Sequence, residues 1–195
     1  AAILLNRLNT YEIALSRLAS IYRELGKYDD AIEVNRDVIR ENPDDTKRQV
    51  RSRDNIILSL YKAGRLDDLR KEIGEAEKIP EGKWGDWQRV DKLENYYNMV
   101  SILIVQQKID PLRQEIDSLK QQENKEVEID KLEKQLSVVN LERADNFAKT
   151  MDATGKKDRK LLRQVMLLYY NNGDDDQKTI SWMEKYFEWF PEKPE

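Results

Sequence analysis

The chain has 195 residues, 37% charged and 39% hydrophobic, with 34 Lys and Arg against 38 Asp and Glu and a formal net charge of −4. That acidic balance leaves no extended basic face for phosphates, so nucleic acid is not an expected partner. With no Cys and no His, disulfides, thiolate metal sites, the common zinc ligands and every Ser-His or Cys-His nucleophile are excluded.

At the start, Ala1-Ala2-Ile3-Leu4-Leu5 is too short, and lacks the basic residues, for a signal peptide. No stretch approaches the ~18 apolar residues of a membrane span, so membrane insertion is not expected. The chain begins without Met and is expected to be a fragment of a longer protein. Cytoplasm and periplasm both suit a Cys-free chain, and the compartment is left open. Leu4, Leu8, Tyr11, Leu15, Leu18, Tyr22 and Leu25 recur at alternating helical spacing, which predicts one helix from about Ile3 to Leu25. Its early turns pack either on a preceding repeat or, as a coiled coil, on another chain.

Leu15-x2-Leu18-Ala19-x2-Tyr22 is followed by Gly26-x-Tyr28-x2-Ala31 and then by Asn42-Pro43. A second copy is Gly64-Arg65-Leu66-Asp67-Asp68-Leu69, preceded by Ile56, Ile57, Leu60 and Tyr61. A third is Gln107-Lys108-Ile109-Asp110-Pro111-Leu112, where Asp110-Pro111 predicts a helix start. Near the end, Leu162-x2-Val165-Met166-x2-Tyr169 precedes Asn171-Asn172-Gly173 and a run closing at Phe190-Pro191. Between them, Ile129, Leu132, Leu136, Leu141, Ala144, Ala148 and Met151 have helical spacing. They form either a degenerate repeat turning at Val139-Asn140 or one long helix.

These motifs resemble the tetratricopeptide repeat, whose pattern is Trp-x2-Leu-Gly-x2-Tyr, then Ala-x3-Phe, then Pro. Gly26, Gly64 and Gln107 are spaced more widely than that family's period of about 34 residues, so Asp44 to Arg48 and Glu81 to Gln88 are expected to carry the excess. The resemblance implies an all-α, right-handed α-solenoid of four to five helix-turn-helix repeats in a single domain, 1–195. The repeats fall at about 12–45, 50–80, 93–122, 126–155 (degenerate) and 159–191. It further implies a scaffold that binds a protein or peptide on the concave face lined by the first helix of each pair.

Carried over by position, that face is Ser16, Ser20 and Arg23 in the first copy and Arg51, Asp54, Leu58 and Tyr61 in the second. The third copy contributes Glu94, Tyr97, Ser101 and Ile104, and the last Lys160, Arg163, Leu167 and Tyr170. Ser16 and Ser20 stand where chaperone-binding members place a Lys and an Asn, so a carboxylate clamp is not expected. Tyr and aliphatic residues among single charges suit a buried peptide or helix, and equally suit packing between repeats.

No catalytic, cofactor or metal residues are assigned, and the chain is not expected to be an enzyme. Asp174-Asp175-Asp176 lacks the ligand spacing and closing Glu of a calcium loop. It is read as helix punctuation, with Gly173 at positive φ and an Asp capping the next helix. Glu81-Gly82-Lys83-Trp84-Gly85 has no preceding strand and is read as a linker rather than a phosphate loop, with Trp84 and Trp87 either tucked between repeats or serving as a binding feature. Trp182, Tyr186, Phe187, Trp189 and Phe190 crowd one terminal helix, so some apolar area is expected to remain exposed. The alternative function is therefore structural self-assembly, a homo-oligomer formed through the terminal helices.

Overall fold

The computed structural model describes residues 14–84, 88–173 and 176–191. Leu4, Leu8 and Tyr11 of the early stripe, Gly85 and Trp87 of the second linker, and Asp174-Asp175 lie outside these residues. The described residues are helical, with no strand among them, and no helix among them is long and apolar enough to cross a membrane. The chain divides into two compact units, Ala1–Lys92 and Leu93–Glu195.

The first unit is built from α1 (described over 14–24), α2 (Tyr28–Glu41), α3 (Thr46–Lys62) and α4 (Leu66–Glu77). α1 ends at Gly26, which adopts φ +73°. There Gly26 N–H bonds the Arg23 carbonyl at 3.2 Å and Lys27 N–H bonds the Tyr22 carbonyl at 2.8 Å. This pair of bonds is a Schellman stop, which needs a left-handed residue that only Gly supplies without a Cβ penalty. The end of α3 repeats it at Gly64, φ +69°, with Gly64 N–H to Tyr61 at 3.0 Å and Arg65 N–H to Leu60 at 3.0 Å. Asp29-Asp30 and Asp67-Asp68 follow in the first turns of α2 and α4, where carboxylates complement the positive helix start.

The two turns lie side by side, because Arg65 reaches back to Asp29 at 2.6 Å while holding Asp68 through Nε at 2.8 Å. Asn42 closes α2 by donating Nδ2 to the Val38 carbonyl at 2.8 Å. Two residues after Pro43, Asp45 caps α3 by accepting from Arg48 N–H at 3.1 Å. Helix α3 thus begins at Thr46, inside the expected Asp44 to Arg48 linker. α3 packs on both α2 and α4, and Ala19, Ala31, Ile32, Val50, Ile56, Ile57, Leu60, Leu69 and Ile73 are buried in this unit. Pro80 begins a short 3-10 turn, Glu81–Lys83, after which Trp84 is buried and its indole N–H bonds the Ile79 carbonyl at 3.1 Å.

The second unit has a different plan. α5 (Arg89–Ile104), which begins in the first unit, passes through a π-helical segment (Val105–Ile109) directly into α6 (Asp110–Leu119). The expected bend at Gln107 is absent. Asp110, at φ −63° and ψ −43°, is helical and not the non-helical cap that Asp110-Pro111 predicts. Two facts explain the continuity. Gln107 stands where Gly26 and Gly64 adopt positive φ, so no left-handed stop forms. Pro111, which lacks an N–H and would crowd the carbonyl four residues back, is accommodated by the wider π turn, in which Asp110 N–H reaches the Val105 carbonyl.

α7 (Glu126–Thr154) is unbroken over 29 residues, with no turn at Val139-Asn140. It runs antiparallel to the α5–π–α6 rod. The cross-links descend in register: Lys156–Glu94, Asn146 to Tyr97 and Ser101, Lys108–Glu142, and Lys120–Glu133. The stretches expected to form a third and a degenerate fourth repeat are instead the two arms of one long hairpin, turned near Asn124, which takes φ +60°. Asn is among the few non-Gly residues that tolerate this conformation.

α7 stops at Gly155, φ +63°, whose N–H bonds the Met151 carbonyl at 2.8 Å. Asp158 then caps α8 (Arg159–Asn172) by accepting from Leu161 N–H at 2.8 Å, and α9 (Asp176–Trp189) follows. Gly173 is extended, φ −104° and ψ 142°, so its expected positive φ is corrected: the α8 terminus is closed by Asn172, whose Nδ2 donates to the Leu168 carbonyl at 2.9 Å. α8 packs on α7 and on α9 around Ala144, Phe147, Ala148, Met151, Leu162, Val165, Tyr169 and Trp182.

Candidate functional site

Helix α8 carries the best-defined outward stripe. Leu162, Val165 and Tyr169 are buried in the α7–α8–α9 core, which turns Lys160, Arg163, Leu167 and Tyr170 away from it on successive turns. All four are exposed, Leu167 at 48% and Tyr170 at 68%. A Leu and a Tyr left in water, with two cations on the turns before them, offer an apolar surface with a positive approach. The core side is fixed by more than packing, since the Tyr169 hydroxyl donates to Asp145 on α7.

In the first unit, the expected face forms a smaller polar patch. Arg23 donates to Asn55 Oδ1 and to Ser20 Oγ, each at 3.3 Å, and so ties α1 to α3. Ser16 and Ser20 are half-buried, Arg51 is exposed, and Leu58 and Tyr61 are half-buried. Arg51, Asn55 and Leu58 are one turn apart on α3. Asn55 was not among the expected residues. An amide one turn from an Arg on the same helix carries no signal until the partner helix is placed.

Four expected solvent-facing residues are inside the protein. Asp54 is 6% exposed and paired with Lys92 at 2.9 Å, which gives the buried carboxylate a partner. Tyr97, Ser101 and Ile104 are buried as well. The amide of Asn146 on α7 donates to the Tyr97 carbonyl at 3.0 Å and to Ser101 Oγ at 2.7 Å. Glu94 is half-buried in its pair with Lys156. The third copy therefore supplies packing surface for α7 in place of a partner face, because the rod does not turn at Gln107 and keeps this side against α7.

The terminal aromatics are sorted by the fold. Trp182 joins the core, and Tyr186, Trp189 and Phe190 pack partly buried against it. Arg159 sits over Tyr186 and Phe190, 5.5 and 5.7 Å from the ring centroids, and Lys157 lies 5.5 Å from that of Trp189, distances suited to cation–π attraction. Phe187 at 59% and Ile180 at 47% remain exposed, one heptad apart on α9.

Comparison with known proteins finds no matching family model, curated protein or solved structure.

Proposed function

We propose that the chain is a non-enzymatic scaffold that binds a protein or peptide partner. The observation carrying this reading is the outward face of α8, where Leu167 and Tyr170 are exposed beside Lys160 and Arg163. Tyr and Arg are the residue types that anchor interfaces, since each combines apolar area with directional hydrogen bonding. An acidic, partly apolar segment is the complementary partner. The twin glycine-turned hairpins of residues 15–80 support the tetratricopeptide resemblance there, and the α8–α9 pair supports it at the end of the chain.

The test is selection of peptides from a random library on the whole chain, followed by titration against Leu167→Glu and Tyr170→Ala. Because both side chains lie outside the core, the variants should melt with the parent while binding weakens at least about tenfold, as for interface anchors. Selected peptides that bind parent and variants alike would defeat the reading. A second reading, self-association through the terminal helix, is favoured by Phe187 and Ile180 on one side of α9. It requires an oligomer in light scattering that dissociates in Phe187→Ser.

A further inference from the structure

Helix α1 carries an apolar stripe on the side away from its packing contacts. Its inner side is fixed by Ala19, which is 1% exposed, and by Arg23, which donates to Asn55 on α3 at 3.3 Å. On the other side Ala14, Leu18, Ile21 and Leu25 recur four, three and four residues apart, and all are exposed. Leu18 stands at 37%, Ile21 at 51% and Leu25 at 65%. That spacing is the seam of a two-helix coiled coil, whose apolar positions interlock with those of a facing helix.

The charges beside the stripe specify the facing helix. Arg17 and Glu24 are exposed, one heptad apart, and flank the stripe on the same side, each immediately before a seam residue, Leu18 or Leu25. A second α1 laid antiparallel sets Arg17 against Glu24 of the second copy, and the two-fold axis repeats the contact as Glu24 against Arg17. The same register sets Leu18 opposite Ile21 and Leu25 opposite Ala14, a large side chain against a small one. A parallel copy would set Arg17 against Tyr22 and forfeit the charge pairing. A surface whose two ends complement each other is what an isologous dimer requires.

We infer that α1 is a homodimer seam, pairing antiparallel with α1 of a second copy through Leu18, Ile21 and Leu25 and through two Arg17–Glu24 ion pairs. The seam is roughly 16 Å long at the rise of an α-helix, so the association belongs to the weak, concentration-dependent class. It depends neither on the α8 face nor on Ile180 and Phe187 of α9.

The test is sedimentation equilibrium of the whole chain from about 1 μM to about 1 mM, a range that captures weak dissociation constants. A monomer–dimer equilibrium is expected, weakened at least about tenfold in Ile21→Glu. Arg17→Glu and Glu24→Arg each set like charges together twice in the dimer, and each should weaken it about tenfold. The double exchange Arg17→Glu with Glu24→Arg should restore the parent equilibrium, and so should an equal mixture of the two single variants. The replaced side chains are exposed, so the variants should melt with the parent, and the charge variants remain informative even if Ile21→Glu fails to fold. A monomer across the whole range overturns the seam, as does a dimer that dissociates in Phe187→Ser but not in Ile21→Glu, which would assign association to α9. Weakening in the single charge variants without recovery in the double exchange overturns the antiparallel pairing. A monomeric parent whose melting temperature falls in Ile21→Glu would place an intramolecular element over the stripe and overturns the seam as well.

Discussion

The stretch from Gly64 to Leu69 and the stretch from Gln107 to Leu112 align residue for residue in the sequence, yet one reverses the chain and the other carries a helix straight through. At the first, Gly64 accepts positive φ and two Schellman bonds close α3. At the second, Gln107 stays right-handed, the helix widens into a π turn, and the following Pro is absorbed. The architecture of each unit follows from that choice: short hairpins in one, and in the other a long hairpin on whose second arm α8 packs, with α9 following. A repeat is therefore defined by its turn chemistry more than by its apolar spacing, which is similar in both stretches.

The comparison can be broken or sharpened experimentally. The largest effects belong to the cores. Leu69→Ala and Leu162→Ala, each at 0% exposure in its own unit, should each cost about 2–5 kcal/mol in denaturant unfolding. A loss below about 1 kcal/mol at either would mean that side chain does not hold its helices together as described. Next comes the turn itself. Gly64→Ala should destabilise by about 1–2 kcal/mol, the penalty of a Cβ in left-handed backbone, whereas Gln107→Ala meets no such backbone penalty and should cost less. Equal costs at the two positions would contradict the distinction drawn between them.

Pro111→Ala should restore a donor inside the rod and gain about 1 kcal/mol, less than the full cost of an interior Pro because the π turn already relieves it. The same variant should slow amide exchange across Val105–Ile109. Unchanged exchange would sever the link between Pro111 and the π turn.

The smallest effect is electrostatic. The Arg65 hydrogen bond holds the Asp68 carboxyl below its ordinary pKa. The contribution is therefore present above about pH 4 and fades as the pH falls through the depressed value. The Asp68 side chain is 40% exposed, so solvent screening limits the effect, and Asp68→Asn should cost at most about 0.5 kcal/mol at pH 7 and nothing at pH 2. A variant that is equally destabilised at both pH values would assign the loss to something other than the ion pair.

Helix content was legible because apolar residues recur at helical spacing throughout, and the first two turns were legible because Gly marks them. What stayed hidden was of two kinds. The rod through Gln107 depends on the absence of a stop signal, and Asp110-Pro111 reads equally as a helix start or as an interior Pro that a π turn tolerates. The continuity of α7 had left two readings open, and the cross-links to the rod through Asn146 and Glu142 appear only once both arms are placed. The exposure of Lys160, Arg163, Leu167 and Tyr170 on α8 was legible because the core side of that helix, Leu162, Val165 and Tyr169, is unambiguous. The face on α5 was lost because Tyr97, Ser101 and Ile104 were assigned by alignment to a hairpin that does not exist.

Trp84 sits 2% exposed in the first unit, its indole tied to the Ile79 carbonyl. A ring so shielded emits at shorter wavelength than one in water, while Trp182 and Trp189 in the second unit lie close to lysine ammonium groups. Replacing those two and Trp87 with Phe would leave Trp84 as the sole Trp. Loosening of the Ile79 to Trp84 segment would then register as a red shift of that residue's emission before the helices themselves melt.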